Sequence, residues 1–69
     1  MTSITVRLDD RAVALPAGAT LAQLLEREGR EPAAVATALN GRFVPREARS
    51  ATALREGDVV LFFQPIVGG

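Results

Sequence analysis

The chain contains no cysteine and no histidine. The first absence excludes disulfides and thiolate metal sites, and the second removes the commonest metal ligand, so no metal site is expected. Lysine, tyrosine and tryptophan are missing as well. What remains for nucleophilic or proton-transfer chemistry is a set of carboxylates and the hydroxyls of Ser3, Ser50 and the threonines, with no base to activate them. The aromatic residues are three phenylalanines, Phe43, Phe62 and Phe63. That is too few for a base-stacking platform, and eight acidic residues cancel eight basic ones, all arginine, so no positive stripe for nucleic acid is expected. No apolar run nears the roughly 18 residues that span a bilayer, and Met1-Thr2-Ser3 leads into a strand rather than a signal segment. The expectation is a soluble, cytoplasmic protein with no membrane partner.

With 69 residues, 48% of them hydrophobic, the chain has material for one core. "ITVRLDD" alternates Ile4, Val6 and Leu8 with polar residues, the period of a strand with one buried face. Asp9-Asp10-Arg11 supplies a turn, and "AVAL" at 12–15 returns as a hairpin partner. "TLAQLLEREG" carries helix punctuation: Thr20 and Gln23 form a capping-box pair, Leu21, Leu24 and Leu25 share a face, and Gly29 suits a left-handed C-terminal position. Pro32 blocks continuation. Asn40-Gly41 between strands at 35–39 and 42–44 is the signature of a two-residue type I′ hairpin turn, which requires positive φ twice. Pro45 ends the second strand, "REARSATAL" reads as an irregular surface crossing that has room for one helical turn, and Glu56-Gly57-Asp58 turns into a strand at 59–64.

This order predicts an α+β, β-grasp arrangement: a mixed sheet of four to five strands, one main helix across one face, and the last strand parallel beside the first. Residues 1–64 are expected to form the domain, and 65–69 a flexible tail. In 59–63 every position is apolar. Val60 and Phe62 are expected to join the leucine stripe and Leu61 and Phe63 to face outward as a partner site, unless the segment 46–54 folds over them. Arg42 and Arg46 either pair with charges on the same partner or are solvated arginines flanking a hairpin.

The chain closes on Pro65, Ile66, Val67, Gly68 and Gly69. With glycine at about 7% of average composition, two given positions are both glycine in roughly half a percent of chains. A fraying tail or a cloning scar would account for it; so would chemistry. Glu26 and Glu28 point to different faces of the helix, and Asp9, Asp10, Glu56 and Asp58 have turn roles, so no internal catalytic constellation survives. The α-carboxylate of Gly69 is left. It is ionised at neutral pH, its reference pKa being about 3.5, and needs activation before it can donate its acyl group. Glycines without Cβ would let such a terminus thread a narrow partner site.

"PAGATLAQLL" at 16–25, "LNGRFVPRE" at 39–47, "LREGDVV" at 54–60 and the final "GG" resemble, in that order and over nearly the whole chain, the ThiS sulfur carriers of the ubiquitin-like β-grasp superfamily. Where many relatives have a bulky aromatic shortly after "VPR", this chain has Ala48-Arg49. The resemblance implies a carrier and co-substrate, not an enzyme, with no bound cofactor. ATP would be used by an E1-like adenylyltransferase of the ThiF type to make the Gly69 acyl adenylate. A persulfide sulfur donor would convert it to a thiocarboxylate, and a thiazole synthase of the ThiG type would take the sulfur. Two related roles compete: the small subunit of molybdopterin synthase, in which a proline ahead of an apolar pair and "GG" is also common, and a ubiquitin-like protein modifier. A simple binding module with an incidental glycine tail is the reading outside this superfamily.

Overall fold

The computed structural model describes residues 2–64. Met1 and the tail at 65–69 lie outside the described residues, so the expectations placed on Pro65, Ile66, Val67, Gly68 and Gly69 do too. Five strands, β1 (Ser3–Leu8), β2 (Arg11–Pro16), β3 (Ala36–Leu39), β4 (Arg42–Val44) and β5 (Val59–Phe63), form one sheet in the order β2-β1-β5-β3-β4. The last strand sits centrally, parallel to β1 and antiparallel to β3, while the two hairpins are antiparallel. With the single helix α1 (Leu21–Arg27) this is the β-grasp arrangement that the order of elements predicts.

The helix begins as its sequence dictates. Gln23 N–H donates to Thr20 Oγ1 at 3.2 Å, and Thr20 N–H donates to Gln23 Oε1 at 2.8 Å, so the capping box satisfies two end donors reciprocally. It stops at Glu28, followed by Gly29 at φ +69°, and the leucines at 21, 24 and 25 are buried on the sheet. They meet Val6, Leu8, Leu15, Val60 and Phe62, with Leu54 closing one end. The hairpin between β3 and β4 turns at Asn40 and Gly41, with φ of 52° and 84°, the two positive values that Asn-Gly permits cheaply.

Two turn residues also complete the ladder of β5. Asp9, itself at φ 56°, accepts the N–H of Phe62 on Oδ1 at 3.3 Å, beyond the point where β1 has turned away. Asn40 Oδ1 accepts Val59 N–H at 2.9 Å, and its Nδ2 donates to Asp58 Oδ1 at 3.1 Å. Both ends of the central strand are thus closed by side chains of neighbouring turns. The segment 46–54 contains a 3₁₀ stretch, Arg46–Ala51, that packs beside α1 and leaves the opposite sheet face open.

Because Leu24 lies at the centre of this one core, Leu24→Ala is expected to cost about 2–5 kcal/mol of stability, read by urea unfolding.

Candidate functional site

A directly opposed pair shares a sheet face, so the register defines the uncovered side. One row across it reads Phe43, Ala38, Leu61; the next is Ala36 and Phe63; another joins Val59 to Arg7. On the β5 strand the alternation is strict: Val60 and Phe62 are buried, while Val59, Leu61 and Phe63 are 40%, 42% and 45% exposed. Phe43, at 64%, is the most exposed large apolar residue described. The outward placement of Leu61 and Phe63 is the predicted one. Phe43 was not singled out in the sequence; the register of the structure sets it opposite Ala38, across from Leu61.

Phe43 and Phe63 line a shallow depression of about 430 Å³ together with Pro32, Ala36, Arg46 and Arg49. Arg46 therefore stands at the rim of the apolar surface. Arg42 does not: it is opposite Leu39, which is opposite buried Val60, so it belongs to the helix side of the sheet at the β4 edge.

The floor of the depression holds a residue to which the sequence assigned no contact. Arg49 is only 4% exposed, yet no carboxylate pairs with it among the described residues. Its Nε donates to Thr37 Oγ1 at 3.1 Å, Nη1 to Pro32 C=O at 2.9 Å and Nη2 to Val35 C=O at 2.6 Å. Thr37, fully buried, donates its hydroxyl to Val44 C=O at 3.0 Å. Burial, and secondarily the charge of Arg46, pulls the guanidinium below its ordinary pKa. An arginine starts high enough to remain charged there. The group thus fastens the turn before β3 to the centre of β3 and, through Thr37, to β4. A small-residue stretch with one arginine in the middle was the signal available in the sequence, and it does not distinguish a buried arginine from a solvated one.

No group of three or more acidic side chains is placed to hold a metal among the described residues, and no described helix is long and apolar enough to cross a membrane. What the geometry offers is a surface: an apolar strip along β5, β3 and β4 that leads to the point where Gln64 hands over to the C-terminal residues.

The described residues thus form a ubiquitin-like β-grasp domain with one sheet face open beside its last strand. The ThiS family model matches residues 3–69, and the chain belongs to that family. It is 38% identical over 64 residues to the sulfur carrier protein ThiS of Escherichia coli (strain K12), covering 93% of this chain and 97% of that protein. Among solved structures, the crystal structure of the thiamine biosynthesis protein ThiS from Geobacter metallireducens matches with a TM-score of 0.80 at 26% identity, over 96% of this chain and 100% of that one.

Replacing Arg49 with alanine would strand the buried Val35 carbonyl and remove the part-buried bond to the Pro32 carbonyl. The variant is expected to lose about 3 kcal/mol or more in chemical denaturation, and lysine, which cannot span three acceptors, is expected to recover only part of it.

Proposed function

We propose that the chain works as a sulfur carrier in thiamine biosynthesis, its reacting group being the α-carboxylate of Gly69. The observation that carries this reading is the pairing of an apolar face beside β5 with a sequence that lacks cysteine, histidine, lysine and tyrosine. Membership of the ThiS family supports the thiamine branch over the molybdenum-cofactor one.

The chemistry follows from what a carboxylate lacks. Displacing oxide from it is prohibitive at neutral pH, so an oxygen of Gly69 attacks the α-phosphorus of ATP in the site of an E1-like adenylyltransferase, and pyrophosphate leaves. The acyl adenylate now has AMP as a good leaving group. The terminal sulfur of a persulfide, carried by another protein because this one has no cysteine, attacks the carbonyl carbon and expels AMP. Cleavage of the sulfur–sulfur bond by a thiol leaves a thiocarboxylate, which a thiazole synthase uses as sulfur source. The carrier contributes binding energy and reach; catalysis resides in the partners.

In this scheme Leu61 and Phe63, with Phe43 beside them and Arg46 at the rim, dock the activating enzyme, and Gly68 and Gly69 enter its site. The residues from Pro65 to Gly69 span at most roughly 17 Å if extended, enough to reach past the domain surface while the strip remains bound.

Leu61→Ser/Phe63→Ser is expected to abolish ATP-dependent activation while the urea midpoint moves little, since both side chains are already half-exposed. Intact-mass measurement after incubation with the cognate activating enzyme, ATP and a persulfide donor is expected to show a gain equal to one oxygen replaced by sulfur, absent when Gly69 is deleted. A ladder of conjugates to other proteins would instead indicate a modifier, and no ATP-dependent change a plain binding module.

A further inference from the structure

Asn40 is the single asparagine of the chain, and a glycine follows it. In such a pair the glycine nitrogen can attack the side-chain amide, because no Cβ shields it. The bond from Gly41 N to Asn40 Cγ forms, the Cγ–Nδ2 bond breaks, and ammonia leaves with the proton of the glycine N–H. Water then opens the five-membered imide at either carbonyl, giving aspartate or isoaspartate at position 40. Asn40 is exposed, and Gly41 N–H donates to no backbone acceptor among the described residues, so neither solvent nor nucleophile is withheld.

The conformation of the turn opposes the reaction. Ring closure needs Cβ of Asn40 eclipsed with the Gly41 nitrogen about the Cα–C bond. The φ values of 52° and 84° are those of a type I′ turn, whose first central residue has ψ of about +30°, and this sets the two atoms nearly opposite each other. Closure therefore requires Asn40 to leave the turn. Three bonds to the start of β5 resist that: Asn40 N–H donates to Val59 C=O at 2.7 Å, Oδ1 accepts Val59 N–H at 2.9 Å and Nδ2 donates to Asp58 Oδ1 at 3.1 Å. Asp58 is itself fixed, accepting Arg55 N–H on Oδ2 at 2.8 Å. Asparagine suits all of this at once. Glycine would tolerate the dihedrals with no side chain to bond, and aspartate would set one carboxylate against another.

We propose that Asn40 is a gated deamidation site: its clasp to Asp58 and Val59 keeps the Asn-Gly pair from closing to the imide, and local opening of the hairpin tip releases it. The modification then acts on β5. Aspartate at position 40 keeps an acceptor for Val59 N–H but turns an oxygen toward Asp58 Oδ1 where Nδ2 stood, and isoaspartate adds a main-chain methylene to a two-residue turn. Either product loosens the first residues of the strand that carries Leu61 and Phe63 outward. No partner takes part, so the outcome is independent of the carrier reading.

The test follows conversion of the amide to the acid by mass spectrometry of the full-length chain at neutral pH, folded and in denaturing urea. The folded natural chain is expected to react at least about tenfold more slowly than the unfolded one, as a site that must first open locally does. Asp58→Ala, which removes the acceptor of Nδ2, is expected to recover most of that difference while the chain stays folded. Asp58→Asn, with one carbonyl oxygen for two donors, is expected to act in the same direction at a smaller loss of stability. Urea below the unfolding transition is expected to leave the natural chain's rate within about twofold, because the opening exposes little surface. In the deamidated chain the Val59 amide is expected to exchange hydrogen at least about tenfold faster, with the Phe62 amide, held by Asp9 at the other end of the strand, unchanged. Equal rates in the folded and unfolded natural chain overturn the gate. So does a rate that climbs with low urea in step with global unfolding, or one that neither folded variant raises. A Val59 amide unmoved by deamidation overturns its effect on β5.

Discussion

One short helix can cover one face of a five-stranded sheet and no more. In a chain of this size that constraint decides most of the rest. The covered face takes the leucines of α1 and the inward residues of β1, β2 and β5, which together make the only sizeable core among the described residues. Among the described residues no further element lies against the other face, so the outward residues of the central strand stand exposed there. Here they are Val59, Leu61 and Phe63, joined by Phe43 from the edge. Leaving that much apolar area in water is a liability that a monomer with no partner has no reason to keep.

The buried guanidinium of Arg49 solves a different problem, how to hold an irregular segment without a second helix or a disulfide. A carboxylate partner would have neutralised the charge but fixed only one contact. Spread over two backbone carbonyls and a threonine hydroxyl, the same charge ties the 46–51 segment to the stretch 32–37 and, through Thr37, to Val44, and it satisfies the Val35 carbonyl that the end of β4 leaves open. The planar fork of arginine suits this, since its nitrogens point in fixed, divergent directions, whereas a lysine ammonium offers a point. Among the described residues the interior contains no unpartnered side-chain polar atom, so the arrangement carries its cost of burial without adding another.

How much of this was legible in the sequence depended on whether the information was local. Thr20 with Gln23, Gly29, and Asn40-Gly41 each name a backbone conformation through their own chemistry, and the structure has the cap, the left-handed glycine and the turn where these residues stand. The faces of β5 were readable from the strand period up to one alternative, that the segment 46–54 folds over the outward residues, and the structure places its 3₁₀ stretch beside α1 instead. Arg49 was not readable: its partners are the carbonyls of Pro32 and Val35, and carbonyls leave no mark in a sequence. The same holds for Asp9, whose place in a turn is evident but whose bond to Phe62 N–H requires knowing that β5 lies beside β1. Arg42 and Arg46 show the limit for surface residues. They look equivalent as flanking charges, and only the hairpin register sends Arg42 to the helix side while Arg46 stays at the rim of the open face.

Cysteine, histidine, lysine and tyrosine are absent from this chain, and its outward apolar residues sit on the central strand of the sheet. A carrier of the kind proposed needs a rigid part to be recognised. Recognition asks for order, which β5 obtains from strands on both sides and from side chains that close its two ends.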